Sequence, residues 1–202
     1  KRFHLEHYHG VQQVSSDIPF CGGLLGYLGY DLGKGLHSIQ SPAQSSSFPA
    51  VQLCAYDWCV IQDHLLQRAT LVTQPRVGRA QRQDLLARLR QPVKRGAAGF
   101  TLTSSFASSL STEQYREAFE QIQAYIQAGD CYQVNLTQCF SAGYSGDPWH
   151  AYRALRAVAA APFAAYLTLA GESTLLCLSP ERFMSLHGHH VETSPIKGTR
   201  PR

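Results

Sequence analysis

Two polar motifs lie near the end of the chain: Ser179-Pro180-Glu181-Arg182-Phe183 and Pro195-Ile196-Lys197-Gly198-Thr199. Each places an ionisable side chain, Glu181 or Lys197, within a run of short β-rich segments. A carboxyl can donate a proton, and an amine can attack an electrophile once deprotonated. On adjacent strands the two side chains can meet. From spacing alone the pair reads as a rim ion pair, worth about 0–1 kcal/mol.

Other polar groups carry less. Glycines at 22, 23, 26 and 29 do not follow the G-x-G-x-x-G spacing of a dinucleotide loop, and no helix pattern follows them. They read as a strand closely approached by another backbone. His4, His7 and His9, and His187, His189 and His190, are closely spaced, but no cysteine or carboxylate completes either set as a metal site. They read as loop histidines.

The elements that must hold the two motifs are short strands: Phe163 to Leu169, Thr174 to Leu178, Phe183 to Leu186 and Val191 to Ser194. Gly171-Glu172 and Gly188-His189 mark turns between them. Upstream, Ser111 and Gln114 form a capping-box pattern. Tyr115, Ala118, Phe119, Ile122, Tyr125 and Ile126 keep one apolar helix face, and Gly129 ends it. Cys131 to Phe140 then alternates, with Gln133, Asn135 and Thr137 on one side, and predicts a strand. Asp147-Pro148 opens another helix.

In the first half, Phe20 to Asp31 predicts a strand and residues 38–49 a loop. Val51 to Val60 and Leu65 to Thr73 predict a hairpin turning at Gln62-Asp63-His64. Gly78 to Gln91 predicts a helix stopped by Pro92. Gly96 to Ser109 is small and polar, a boundary between subdomains. Helices with antiparallel sheets give an α+β class.

Composition narrows the function. The 202 residues carry 18 Lys+Arg against 14 Asp+Glu, a net charge of +4. The basic residues are scattered or lie on the 78–91 helix and its exit, so a nucleic-acid interface is not expected. A 44% hydrophobic fraction excludes a disordered chain. The 16% charged fraction is low, as if some surface is covered by more protein. Ala157 to Ala170 is too short to span a bilayer. No signal peptide opens the chain, so no membrane role and a cytoplasmic location are expected. The six cysteines form no C-x-x-C pair and read mostly as small buried residues. The absence of an initiator Met and the abrupt end suggest an internal fragment.

Five pieces occur in a familiar order: Phe20-x-Gly22-Gly23, Gly29-Tyr30-Asp31, Gly129 to Leu136, Ser179 to Phe183, and Pro195 to Thr199. Together they resemble the chorismate-utilising enzymes of the anthranilate synthase component I family. The resemblance covers nearly the whole chain, and the last two motifs are the most specific. It implies large, mainly antiparallel sheets packed with helices. It divides the chain into 1–107, part of an N-terminal domain, and 108–202, the first portion of a catalytic domain.

The resemblance also implies roles. The branch that forms 4-amino-4-deoxychorismate carries a lysine at the position of Lys197, where anthranilate-forming members carry Ala. That lysine attacks C2 of chorismate. Glu181 matches the general acid that protonates the departing C4 hydroxyl, and Gly198 and Thr199 fit substrate contacts. Gln133 stands where water-using members carry a basic Lys, so ammonia is the expected nucleophile. Pro162, Phe163 and Ala164 align with part of a tryptophan pocket. The family implies Mg2+, with ligands beyond this chain, and a glutamine amidotransferase partner that supplies ammonia for 4-aminobenzoate and folate synthesis. The rival readings are an anthranilate-forming enzyme, and a non-catalytic fragment or paralogue that only docks a partner.

Overall fold

The computed structural model describes residue 8 and residues 18–37, 48–92 and 99–196. These fall into two compact units. The first lies within Lys1–Arg95 and Leu167–Leu175, the second within Gly96–Tyr166 and Leu176–Arg202.

In the first unit, β1 (Gly23–Leu28) pairs antiparallel with β2 (Val51–Tyr56), Gly26 lying opposite Leu53. A Cβ at Gly26 would run into the Gln52 carbonyl. The glycine pattern therefore marks a close approach of backbones, as expected. A short helix, α1 (Leu32–His37), follows β1, where the sequence offered no helix pattern. β3 (Trp58–Asp63) pairs with β4 (Arg68–Thr73).

Two expectations are corrected here. The Val51 to Val60 run is not one strand, because it breaks at Asp57. There the Asp57 carboxylate holds Arg76, with Nε at 2.7 Å, and its carbonyl accepts from Gln74 N at 2.7 Å. The hairpin also turns later, at 64–67. Asp63 Oδ1 accepts from Leu65 N and Leu66 N at 3.0 and 2.9 Å, so Asp63 ends the strand and holds the turn. Helix α2 (Arg79–Arg90) lies between Gly78 and Gln91, as expected. The expected 38–49 loop lies largely outside the described residues.

Among the described residues of this unit the buried ones are Tyr8, Gly23, Gln74, Val77, Leu85 and Leu169. Gln74 is satisfied by donating its side-chain amide to Cys21 O. Tyr8 donates to the Gly23 and Tyr56 carbonyls, at 3.4 and 3.3 Å.

The second unit starts with two small ladders. β5 (Phe100–Leu102) pairs with β8 (Tyr144–Gly146), and β6 (Ala107–Ser108) with β7 (Phe140–Ser141). Between them runs α3 (Thr112–Ala128). Its capping box is complete: Ser111 Oγ accepts from Gln114 N at 3.1 Å, and Gln114 Oε1 accepts from Ser111 N at 2.8 Å. Gly129 ends the helix at φ 81°, a left-handed backbone that glycine adopts without a Cβ clash. Helix α4 (Pro148–Ala159) is capped by Asp147, whose Oδ1 accepts from Trp149 N at 2.9 Å. It buries Ala151 and Tyr152.

After α4, β9 (Phe163–Thr168) and β10 (Thr174–Ser179) form a hairpin. β11 (Ser185–His187) and β12 (His190–Glu192) form another about the Gly188-His189 turn. Trp149, Tyr152 and Tyr166 pack together, with Trp149 edge-on to Tyr166 at 5.1 Å.

One expected element is absent. Residues 131–139 form no strand, and pairing begins only at Phe140. Among the described residues the only backbone bond to this stretch is Ser109 N to Cys139 O at 2.7 Å, at its end, and alternation alone does not make a ladder. The class is α+β with antiparallel pairing, as expected, but every ladder among the described residues has two strands. Such narrow ladders leave strand residues half open. The cysteines differ from expectation: five are half-buried, Cys139 is exposed, and all six are free, with Cys54, Cys59 and Cys177 on such ladders and Cys21, Cys131 and Cys139 on no strand.

Candidate functional site

The site is built where β10 ends. Ser179, its last residue, turns the chain into Glu181. The Ser179 hydroxyl donates to Glu181 O at 2.7 Å and accepts from Glu181 N at 3.2 Å. A serine closing on the backbone two residues ahead makes a local turn that needs no ladder. It fixes the Glu181 main chain on both sides and leaves the half-buried side chain to reach across.

What it reaches is the segment after β12 that carries the start of the second motif. Glu181 Oε1 accepts from the backbone N–H of Ile196 at 3.2 Å, and Ile196 is the residue before Lys197. The β11–β12 ladder explains the meeting. Its antiparallel register sets Ser185 opposite Glu192, and the same register run outward sets Glu181 opposite Ile196.

Two further ties link the same stretches. Arg182 Nη2 lies 2.9 Å from Glu192 Oε1, and Thr193 Oγ1 donates to Phe183 O at 3.1 Å. The Arg182 guanidinium also stands 5.7 Å from the centroid of the Phe163 ring. Arg182 Nε is buried and has no hydrogen-bond partner among the described residues. Glu192 and Thr193 belong to no motif. The signal that would have found them is the register of the Gly188-His189 hairpin.

Lys197, Gly198 and Thr199 lie outside the described residues. Gln133 is exposed, in the irregular stretch after α3. Pro162 and Phe163 are exposed and Ala164 half-buried, at the start of β9. His187, His189 and His190 are exposed on the second hairpin, whereas His4, His7 and His9 lie outside the described residues. No three His, Cys, Asp or Glu side chains among the described residues come together to hold a metal ion. No described residue is therefore assigned to Mg2+. Among the described residues no helix is long and apolar enough to cross a membrane.

The arrangement can perform one piece of chemistry. A carboxyl with one oxygen on a backbone N–H is held in place, and its Oε2 accepts from no described residue. A carboxyl so held can exchange a proton with a group that reaches its second oxygen.

Comparison with known proteins gives a consistent picture. The chorismate binding enzyme family matches residues 1–202. Aminodeoxychorismate synthase component 1 of Klebsiella aerogenes is 42% identical over 199 residues, covering 98% of this chain and 43% of that protein. Anthranilate synthase component 1 of Streptomyces coelicolor is 30% identical over 210 residues, covering 95% of this chain and 41% of that protein. The chain thus spans about two-fifths of the length of these curated relatives. The crystal structure of anthranilate synthase component I from Streptococcus pneumoniae TIGR4 superposes with a TM-score of 0.79 at 24% identity, over 93% of this chain and 45% of that one. That likeness establishes the chorismate-utilising fold.

Proposed function

Since the chain belongs to the family of chorismate-binding enzymes, we propose that the whole protein joins ammonia to chorismate, giving 4-amino-4-deoxychorismate. The observation that carries this reading is the hydrogen bond from Ile196 N to the Glu181 carboxylate. It ties the proposed acid to the residue preceding the proposed nucleophile. The greater identity to aminodeoxychorismate synthase component 1 than to the anthranilate synthase relative supports the choice of product.

In this reading the Lys197 amine, deprotonated, attacks C2 of chorismate. Both ring double bonds shift and the C4 oxygen departs as water, taking its proton from Glu181. Hydroxide is a poor leaving group, so this proton transfer is where a general acid contributes most. Ammonia then attacks C4, both double bonds shift back, and the C2–N bond to Lys197 breaks. The net change is replacement of the C4 hydroxyl by an amino group, with release of water. Gly198 offers an unobstructed backbone N–H and Thr199 a hydroxyl to the substrate. Gln133 is neutral and cannot act as the base that would activate water. Pro162, Phe163 and Ala164 are a proposed tryptophan contact.

A glutamine amidotransferase subunit would supply the ammonia in the cytoplasm. Mg2+ would bind the substrate through residues other than those described here, and no step above is routed through it.

The test is product analysis of the full-length protein with chorismate, Mg2+ and an ammonium salt, beside Lys197→Ala. Aminodeoxychorismate from wild type, reduced by about two orders of magnitude or more in the variant, is expected for loss of a covalent nucleophile. Anthranilate from wild type, or an unaffected variant, would overturn the reading.

A further inference from the structure

We propose that Cys21 and Cys59 form a reversible disulfide, driven by a hydroperoxide, that ties the chain entering β1 to β3.

The two cysteines are distant in sequence and belong to no C-x-x-C pair. The fold of the first unit brings them together. The Cys59 thiol, on β3, donates to the Phe20 carbonyl at 3.2 Å. That carbonyl belongs to the peptide bond leading into Cys21. Disulfides join backbones about 4.4–6.8 Å apart at Cα, so a sulfur already on the partner's peptide bond leaves little to close.

Both sides of the contact are held. Gln74 is buried and donates its side-chain amide to Cys21 O, while its backbone N–H donates to Asp57 O at 2.7 Å. One residue thus joins Cys21 to the chain just before β3. Gly22, next to Cys21, has φ 101°, and a Cβ there would meet the Gln74 side chain and the Tyr56 carbonyl. Only glycine lets the chain pass so close in that conformation. The Tyr8 hydroxyl, donating to the Gly23 and Tyr56 carbonyls, fastens the same two stretches again.

The thiols also sense each other. Burial first, and then the charge of Cys21, raise the Cys59 thiol above its ordinary value. Cys59 therefore stays protonated at neutral pH and is not the group that meets the oxidant first. The Cys21 thiolate attacks hydrogen peroxide, the O–O bond breaks, and Cys21 becomes a sulfenic acid. The released hydroxide takes up the Cys21 proton and leaves as water. The Cys59 sulfur then attacks the Cys21 sulfur, the S–O bond breaks, and the oxygen leaves as a second water with the Cys59 proton. Two thiols lose two electrons and the peroxide gains them. A thiol reductant reverses the bond by exchange.

The disulfide closes the loop that carries β1 and β2, and replaces a sulfur–carbonyl hydrogen bond by a covalent tie. In a reducing compartment such a bond is transient and forms only under oxidant.

The experiment uses the full-length protein, reduced, desalted and exposed to hydrogen peroxide near neutral pH. Remaining thiols are alkylated, and the protein is digested without reductant for mass spectrometry. The expected product is a pair of peptides joined through Cys21 and Cys59, lighter than the two reduced peptides by two hydrogens and lost on adding dithiothreitol. It should outweigh every linkage to Cys54, Cys131, Cys139 or Cys177, and Cys54→Ser should leave it intact. The same oxidation in urea should lose that preference, since the fold is what joins the pair. Cys21 and Cys59 recovered as free thiols, or oxidised separately to sulfinic acids, would overturn the proposal. So would Cys59 linked chiefly to another cysteine, or an equal preference in urea. No turnover is read, so the outcome stands apart from that of the proposed function.

Discussion

Glu181 gains its place from Ser179 in its own motif and from Ile196 in the second one. Ser179 fixes its backbone, and the N–H of Ile196 fixes one carboxylate oxygen. The motif residue was legible in the sequence, but its contact depends on a register that only the folded hairpin defines. The cysteines show the same limit, since their composition suggested burial but five are half-buried and Cys139 is exposed. Cys59 is still distinguishable. Burial first, and then the nearby Cys21, push its thiol above the ordinary value. Folding thus favours the neutral thiol. That contribution is full below the unfolded thiol's pKa and is lost as pH rises through the folded value. Iodoacetamide at about pH 8 should therefore label exposed Cys139 well before Cys59, as read by peptide mass spectrometry. Faster labelling of Cys59 would contradict its assigned environment.

At the scale of elements, local chemistry was read well and long-range pairing poorly. The α3 caps were visible because Ser111 pairs with nearby Gln114 at one end and Gly129 bonds the adjacent last turn at the other. The α4 start was visible for the same reason, in Asp147-Pro148. The strand expected over 131–140 was not formed, because alternation requires a neighbouring backbone that no local pattern supplies. The break at Asp57 was missed because its cause is a contact with Arg76, nineteen residues on. The legible features have measurable weight. Ser111→Ala removes the side-chain half of the capping box and should cost about 1 kcal/mol in urea unfolding of the full-length protein. An unchanged midpoint would mean that α3 is held by something other than its cap.

For the whole molecule, the chain belongs to a family whose curated relatives are more than twice its length. Its surface is unusually apolar for a chain by itself. Helix α3 buries no residue, and Tyr132 and Phe183 are 93% and 85% exposed. Exposed apolar area on that scale marks a surface that binds other groups. The 202-residue chain expressed alone should therefore bind a hydrophobic dye such as ANS and self-associate in gel filtration. A dye-silent monomer would contradict this. The central claim concerns a covalent bond to one lysine, and it can be tested directly. The full-length protein would be incubated with chorismate and Mg2+ without ammonia, denatured, digested and examined by mass spectrometry. The account predicts an adduct of chorismate less water on Lys197, removed when an ammonium salt is added before denaturation. An unmodified Lys197 in a protein that still makes aminodeoxychorismate would contradict it.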